Sequence, residues 1–263
     1  MPEPKDIFTT VPLHSADTFD IREFVPFTIP CNPDQAEMLA FLGIKDLPEG
    51  DPILSETADA ASECESVLKA RGVYGVFGID SDAHAEGIGI AGTGLLLPGK
   101  DIARHLDGAG HVVLMAVTLG LSSENWLRTR KASSLNRFLL CDAAASAMAE
   151  SAVEAFEQSI RRVVVSEGGF LGPRYSPGYG DLSLDVQKPL LEALDAGRSL
   201  GIHLNSGGIM VPTKSITAIA GVFPETADAD SVSNDCGNCR LSGNCSIRNS
   251  GRLCNGKPYF PNK

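Results

Sequence analysis

The sequence predicts an α+β fold. Three observations point to it. Strand-like and helix-like segments are mixed without the regular βαβ rhythm of a doubly wound sheet. Residues 111–118 form a short, largely apolar, β-branched run with the length of a buried strand. The Ala-rich stretch 142–157 places Ala145, Met148, Ala149, Ala152 and Phe156 at helical spacing, which marks a close-packed helix face.

The elements follow in order. Residues 1–31 look extended or irregular. Asn32-Pro33-Asp34-Gln35 reads as a helix start, with Asn as cap, Pro at the first helical position and Gln where a capping box needs it. Gly43 ends that helix. A second helix is expected over 55–71, stopped by Gly72. Residues 73–79 alternate as a strand does, and 88–97 is Gly-rich but strand-like. A short helix is expected over 101–106, then the strand 111–118. The pattern is helical from 123 to 162, with a break near 131–134. Residues 184–200 read as a helix ended by Gly201. Short strands are expected near 203–204 and over 215–223. The last forty residues are polar, rich in Ser, Asn and Cys, and aperiodic. The organisation expected is an N-terminal extension with helices (1–69), an α+β core (70–225) and a cysteine-rich tail (226–263).

The chain has 263 residues, 43% of them hydrophobic, enough to bury a sizeable core. Its formal net charge is −11 with no basic run, which argues against nucleic acid or an anionic membrane as partner. The opening Met-Pro-Glu-Pro-Lys-Asp has neither the basic nor the apolar part of a secretory signal. The longest apolar run, about 112–121, is too short to span a bilayer. The expectation is a soluble, cytoplasmic protein whose seven cysteines sit in a reducing compartment.

The most informative stretch is 172–188, read as a loop of Gly and Pro running into a helix. Pro173 and Pro177 stiffen it, and Gly178 and Gly180 permit turns closed to other residues. Arg174 offers a rigid fork of donors suited to a carboxylate. Tyr179 offers a flat face for a purine or a cation. Tyr175 and Ser176 lie between them. Arg174 and Tyr179 are expected to share one pocket for a small zwitterion carrying a ring. Read alone, Arg174 could instead close a surface salt bridge and Tyr179 could simply pack the loop.

These residues carry a resemblance. Arg174, Pro177, Gly178, Tyr179 and Lys188 match the Arg-x-x-x-Gly-Tyr loop and following helix in the activation domain of cobalamin-dependent methionine synthase. Residues 202–217 look like the next stretch of that domain. Residues 101–120 with 142–150 are similar to its short stand-alone members. The resemblance covers roughly 70–225. It implies a mixed or antiparallel sheet with packed helices, binding of S-adenosylmethionine, and rescue of cobalt oxidised to Co(II). In that rescue one electron reduces the cobalt and a methyl group from S-adenosylmethionine traps it. The chain is too short to hold the rest of such an enzyme. A free-standing activation protein is therefore implied, with a corrinoid protein such as methionine synthase as partner, cobalamin carried by that partner, and a separate electron donor.

Residue by residue, the resemblance implies that Arg174 binds the ligand carboxylate and that Gly178 lets backbone approach. Tyr179 would lie between ligand and corrin as the catalytic residue. Tyr175, Ser176, Pro177 and Gly180 would complete the ligand loop, and Glu150 would take the α-amino group. Glu150 also reads as a solvated or helix-paired charge. The chain departs from the family where Gly180-Asp181-Leu182-Ser183 replaces Pro-Ala-Cys-Pro, and where Ile219-Ala220 replaces an aromatic pair.

Cys236, Cys239, Cys245 and Cys254 form a second signal. Four thiolates in a Gly/Asn/Ser loop could wrap one tetrahedral ion, and the first pair has Cys-x2-Cys knuckle spacing. The remaining spacings fit neither common zinc fingers nor ferredoxin repeats, so an iron–sulfur cluster, zinc and four free thiols stay open. Cys31, Cys64 and Cys141 lie apart and read as buried or inert. Asp82-x-His84-x-x-Gly87 imitates a corrinoid-binding motif but lacks its βαβ setting and reads as a polar turn. Two other functions compete with activation: a non-catalytic S-adenosylmethionine-sensing or corrinoid-protein-binding module, and an iron–sulfur electron-transfer protein.

Overall fold

A sheet of seven strands, antiparallel at every pairing, carries the fold and bears out the α+β expectation. The structure is a computed structural model and describes residues 26–45, 47–48, 50–80 and 87–224. The strands are β1 (Phe27–Ile29), β2 (Ala70–Asp80), β3 (Ile88–Ile90), β4 (Leu95–Leu97), β5 (His111–Thr118), β6 (Gly169–Tyr175), β7 (His203–Leu204), β8 (Met210–Val211) and β9 (Ser215–Pro224). The helices are α1 (Gln35–Phe41), α2 (Pro52–Val67), α3 (Lys100–His105), α4 (Leu121–Ser133), α5 (Leu135–Ser166), α6 (Gln187–Ala193) and α7 (Ala196–Ser199). The order across the sheet is β4-β3-β2-β5-β9-β6, with β1 also on β2; β7 and β8 form a separate hairpin.

Alternation along the central strands gives the sheet two buried faces. Val113, Met115 and Val117 of β5 face the layer of α1, α2, α4 and α5. Val112, Leu114 and Ala116 face α3, α6 and α7. The α5 face expected from the sequence is fully packed: Ala145, Met148, Ala149, Ala152 and Phe156 are all buried. Phe156 meets the rings of Phe27 and Tyr74 at 6.0 and 5.8 Å. Burying a side chain of that size contributes roughly 1.5–3 kcal/mol. Phe27 of β1 and Cys64 of α2 join this same core, so β1 and α2 pack with the strands that follow them.

Several boundaries differ from expectation for local reasons. The cap of α1 is Asp34, which accepts from the Glu37 N–H at 2.8 Å, two residues after the expected Asn32. Asp51 caps α2 from ahead of Pro52, and the helix stops at Val67 because β2 begins at Ala70. Gly72 therefore lies inside a strand, where a Cβ would stand 2.9 Å from both Ile29 and Phe156. The helix expected over 184–200 is three pieces, a 3₁₀ turn (Leu184–Val186), α6 and α7, divided where Asp195 adopts φ 47°. The loop expected from 172 begins instead as the end of β6, because its pairing with β9 resumes beyond a bulge at Arg174 and Tyr175.

Cys236, Cys239, Cys245 and Cys254, with Asp82 and His84, lie outside the described residues. Among the described residues no cluster of His, Cys, Asp or Glu could hold a metal ion, and no helix is long and apolar enough to cross a membrane. Cys64 and Cys141 are buried as expected. Cys31, Cys64 and Cys141 are not far apart, however: burial and the neighbouring thiols Cys141 and Cys31 together push Cys64 up to about 12.

Candidate functional site

Arg174 and Tyr175 occupy consecutive positions on the edge strand β6, opposite Ala220 and Ile219 of β9. Ala220 belongs to the α5 side of the sheet and Ile219 to the α3 side. The two side chains therefore leave the strand on opposite faces.

On the α5 side, Arg174 Nε donates to Glu157 Oε2 at 2.6 Å, with the two side chains 13% and 10% exposed. Glu157 Oε1 accepts from Arg161 Nη2 at 2.7 Å, one turn further along α5. Arg161 in turn donates from Nη1 to the Leu171 carbonyl. Glu157 is thus held from both sides. Among the described residues, Nη1 and Nη2 of Arg174 have no hydrogen-bond partner. Glu150 lies two turns earlier on the same helix. Burial raises its pKa above the ordinary glutamate value, Arg174 opposes that rise, and Glu154 adds to it. A guanidinium with free donors beside a half-buried carboxyl group is the arrangement an α-amino acid zwitterion needs.

The same face of α5 continues toward its N-terminus. Asp142 Oδ1 and Ser146 Oγ both hold Lys214 Nζ, at 2.8 and 2.7 Å. Lys214 directly precedes β9, so this second cluster ties the start of that strand to the helix.

On the α3 side, an aromatic row runs outward. The His105 ring lies 5.0 Å from Tyr175, and Tyr175 lies 6.2 Å from Tyr179, edge to face. His105 Nε2 donates to the Pro173 carbonyl at 2.8 Å. Burial holds His105 below its usual pKa, which favours the neutral ring; the bond to Pro173 opposes this more weakly. Tyr179 ends the row and is 42% exposed.

The loop after β6 is closed on itself. Gly178 N–H donates to the Leu182 carbonyl and Leu182 N–H to the Tyr179 carbonyl. Ser176 Oγ donates to the Thr217 carbonyl at 2.9 Å, and Pro177 is buried. Gly178 and Gly180 adopt φ 93° and 52°, so glycine is needed at both.

No protein-family model matches the sequence, and no curated protein matches it. Among solved structures the chain matches a crystal structure of the MetH reactivation domain bound to AdoHcy. The TM-score is 0.56 and the identity 16%, over 79% of this chain and 82% of that one. The fold is similar to that of the MetH reactivation domain.

The structure brings some of the expected site residues together and separates others. Arg174 is close enough to Glu150 to oppose the rise in its pKa. Ser176, Pro177, Gly178, Tyr179 and Gly180 form one compact turn that follows Tyr175, the last residue of β6. Arg174 and Tyr179 are not paired across a common pocket: Arg174 turns toward α5, while Tyr179 extends the row on the α3 side. Lys188 is exposed and, among the described residues, reaches only Glu192, at 3.9 Å. Two residues were missed. Glu157 was legible as the acid seven positions after Glu150 on a helix, hence on its face. Asp181 had no local signal, because its partners lie eighty residues earlier.

Proposed function

We propose that the protein binds S-adenosylmethionine and supports reductive methylation of cob(II)alamin on a separate corrinoid protein, a methionine synthase lacking its own activation domain. The observation that carries this reading is the half-satisfied Arg174 guanidinium beside Glu150, at the sheet edge of a fold similar to a reactivation domain. Arg174, already oriented by Glu157, gives its two Nη groups to the ligand carboxylate as a fork. Glu150 takes the α-ammonium group. The ligand then lies along the exposed edge of β6, and its far end reaches the turn that carries Tyr179. The sulfonium methyl group is what S-adenosylmethionine supplies. This chain contributes grip, orientation and a rigid surface that keeps water from the docked partner.

The electron requires a donor. Flavodoxin-type donors are acidic, and a chain of net charge −11 repels them at low salt. We therefore assign electron entry to the cysteine tail, whose four thiols Cys236, Cys239, Cys245 and Cys254 are enough to ligate one iron–sulfur cluster. Metal analysis of anaerobically purified protein tests this part separately, and protein holding zinc or no metal removes it.

The main test is direct. The chain is mixed with a cob(II)alamin-loaded methionine synthase, a reductant and S-adenosylmethionine, and the corrin spectrum is followed. Methylcobalamin formed only in the presence of the chain supports the reading. Ligand binding without methylcobalamin favours a sensing module. No ligand binding in calorimetry overturns both.

A further inference from the structure

We propose that Asp181 is a positioning residue that seats the Tyr179 turn on α3 and so preforms the ligand site; the proposal rests on the functional reading above. Its carboxylate accepts from the backbone N–H groups of Lys100, at 2.7 Å, and Asp101, at 3.1 Å. These are the first amides of α3, whose own cap position is Gly99 and supplies no side chain. Asp181 is thus a helix cap delivered from a distant turn.

The local sequence is shaped around this contact. Gly99 has φ 126°, and a Cβ there would collide with the Asp181 carboxyl group. Gly180 has φ 52°, and a Cβ there would collide with the Tyr175 hydroxyl and the Asp101 carboxylate. Both glycines therefore admit the close approach of turn and helix. The other end of α3 holds the same segment, since His105 bonds the Pro173 carbonyl. α3 brackets residues 174–180 at both ends. Because Tyr179 and Asp181 share one hydrogen-bonded turn, release of Asp181 releases Tyr179 with it.

Three variants test this: Asp181→Ala, Asp181→Asn, which keeps an acceptor oxygen, and Asp34→Ala, which removes the α1 cap far from the site. Hydrogen exchange without ligand reads the clamp. Calorimetry with S-adenosylmethionine and S-adenosylhomocysteine reads its effect on binding. Asp181→Ala is expected to speed exchange at Gly178, Leu182, Lys100 and Asp101 and to weaken binding roughly tenfold, the scale of a lost cap bond. Asp181→Asn is expected to recover only part of both, because its one oxygen can accept from one of the two amides while its NH2 group faces the other. Asp34→Ala is expected to lower the melting temperature comparably with affinity unchanged. Unchanged exchange in Asp181→Ala overturns the clamp. Faster exchange with unchanged affinity overturns its role in the site. A wild-type protein that binds neither ligand fails the functional reading instead, and the exchange comparison still judges the clamp.

Discussion

Arg174 Nε and Glu157 Oε2 lie 2.6 Å apart, and Arg161 holds the other oxygen of the same carboxylate. The pair orients the guanidinium and leaves its outer nitrogens to a ligand. Arg174→Ala is expected to cost about 1.5–3 kcal/mol of S-adenosylmethionine binding in calorimetry. It is expected to cost only about 1–3 kcal/mol of stability in urea, because Glu157 keeps Arg161 and is not stranded. Arg174→Lys should recover stability better than affinity, since an ammonium is a single point and not a fork.

Glu150 gives the site a pH dependence. Its folded pKa is raised by burial, so it keeps its proton to a higher pH than a free glutamate does; the charges facing it are Arg174 and Glu154. The ligand ammonium needs the ionised form. Affinity measured by calorimetry is therefore expected to rise with pH through the raised value, and Glu150→Gln should flatten that rise. For stability the sign reverses: burial of the charge costs most at high pH. Glu150→Gln is expected to raise the melting temperature at pH 8 and to leave it unchanged below the ordinary glutamate pKa of about 4.3.

Glu63 on α2 titrates the other way. Burial alone would raise its pKa, but bonds from Arg137, Trp126 and Arg130 outweigh burial and bring it down to about 2. Trp126 Nε1 and Arg137 Nη2 donate to it at 2.9 and 2.6 Å. A lowered folded pKa means stability that is present above about pH 4.3 and lost as pH falls toward 2. Glu63→Gln is expected to cost roughly 1–3 kcal/mol at neutral pH and to shrink the acid loss, read by urea unfolding across pH 2–7.

Gly72→Ala tests the packing of α5 on the sheet. The new methyl would press on Ile29 and on the ring of Phe156, both 2.9 Å away. Phe156 is itself wedged between Phe27 and Tyr74 and cannot retreat. A loss of about 1–3 kcal/mol in urea unfolding is expected.

Much of the fold was legible because it rests on periodicity. The strand 111–118 and the packed face of α5 were read directly, since alternation and helical spacing report burial. The break before α5 was read as well, and it falls at Ser134, whose side chain caps the helix. What failed depended on partners distant in sequence. The end of β6 reads as loop in the sequence because Gly172 and Pro173 suppress strand propensity, and pairing with β9 makes it a strand. In the site, residue types were readable but directions were not. Four residues separate Arg174 from Tyr179, and a strand edge lies between their faces. Asp181 could not be found locally, because a cap drawn from eighty residues away leaves no trace near the helix it closes.

One rod sets the spacing of the polar clusters. Ser146, bonded to Lys214, and Glu157, bonded to Arg174, both belong to the 32-residue helix α5. Eleven residues of helix fix their separation at about 16 Å. A single residue inserted between them would turn one cluster by about 100° relative to the other. A chain that keeps both anchors on this fold must therefore keep that count.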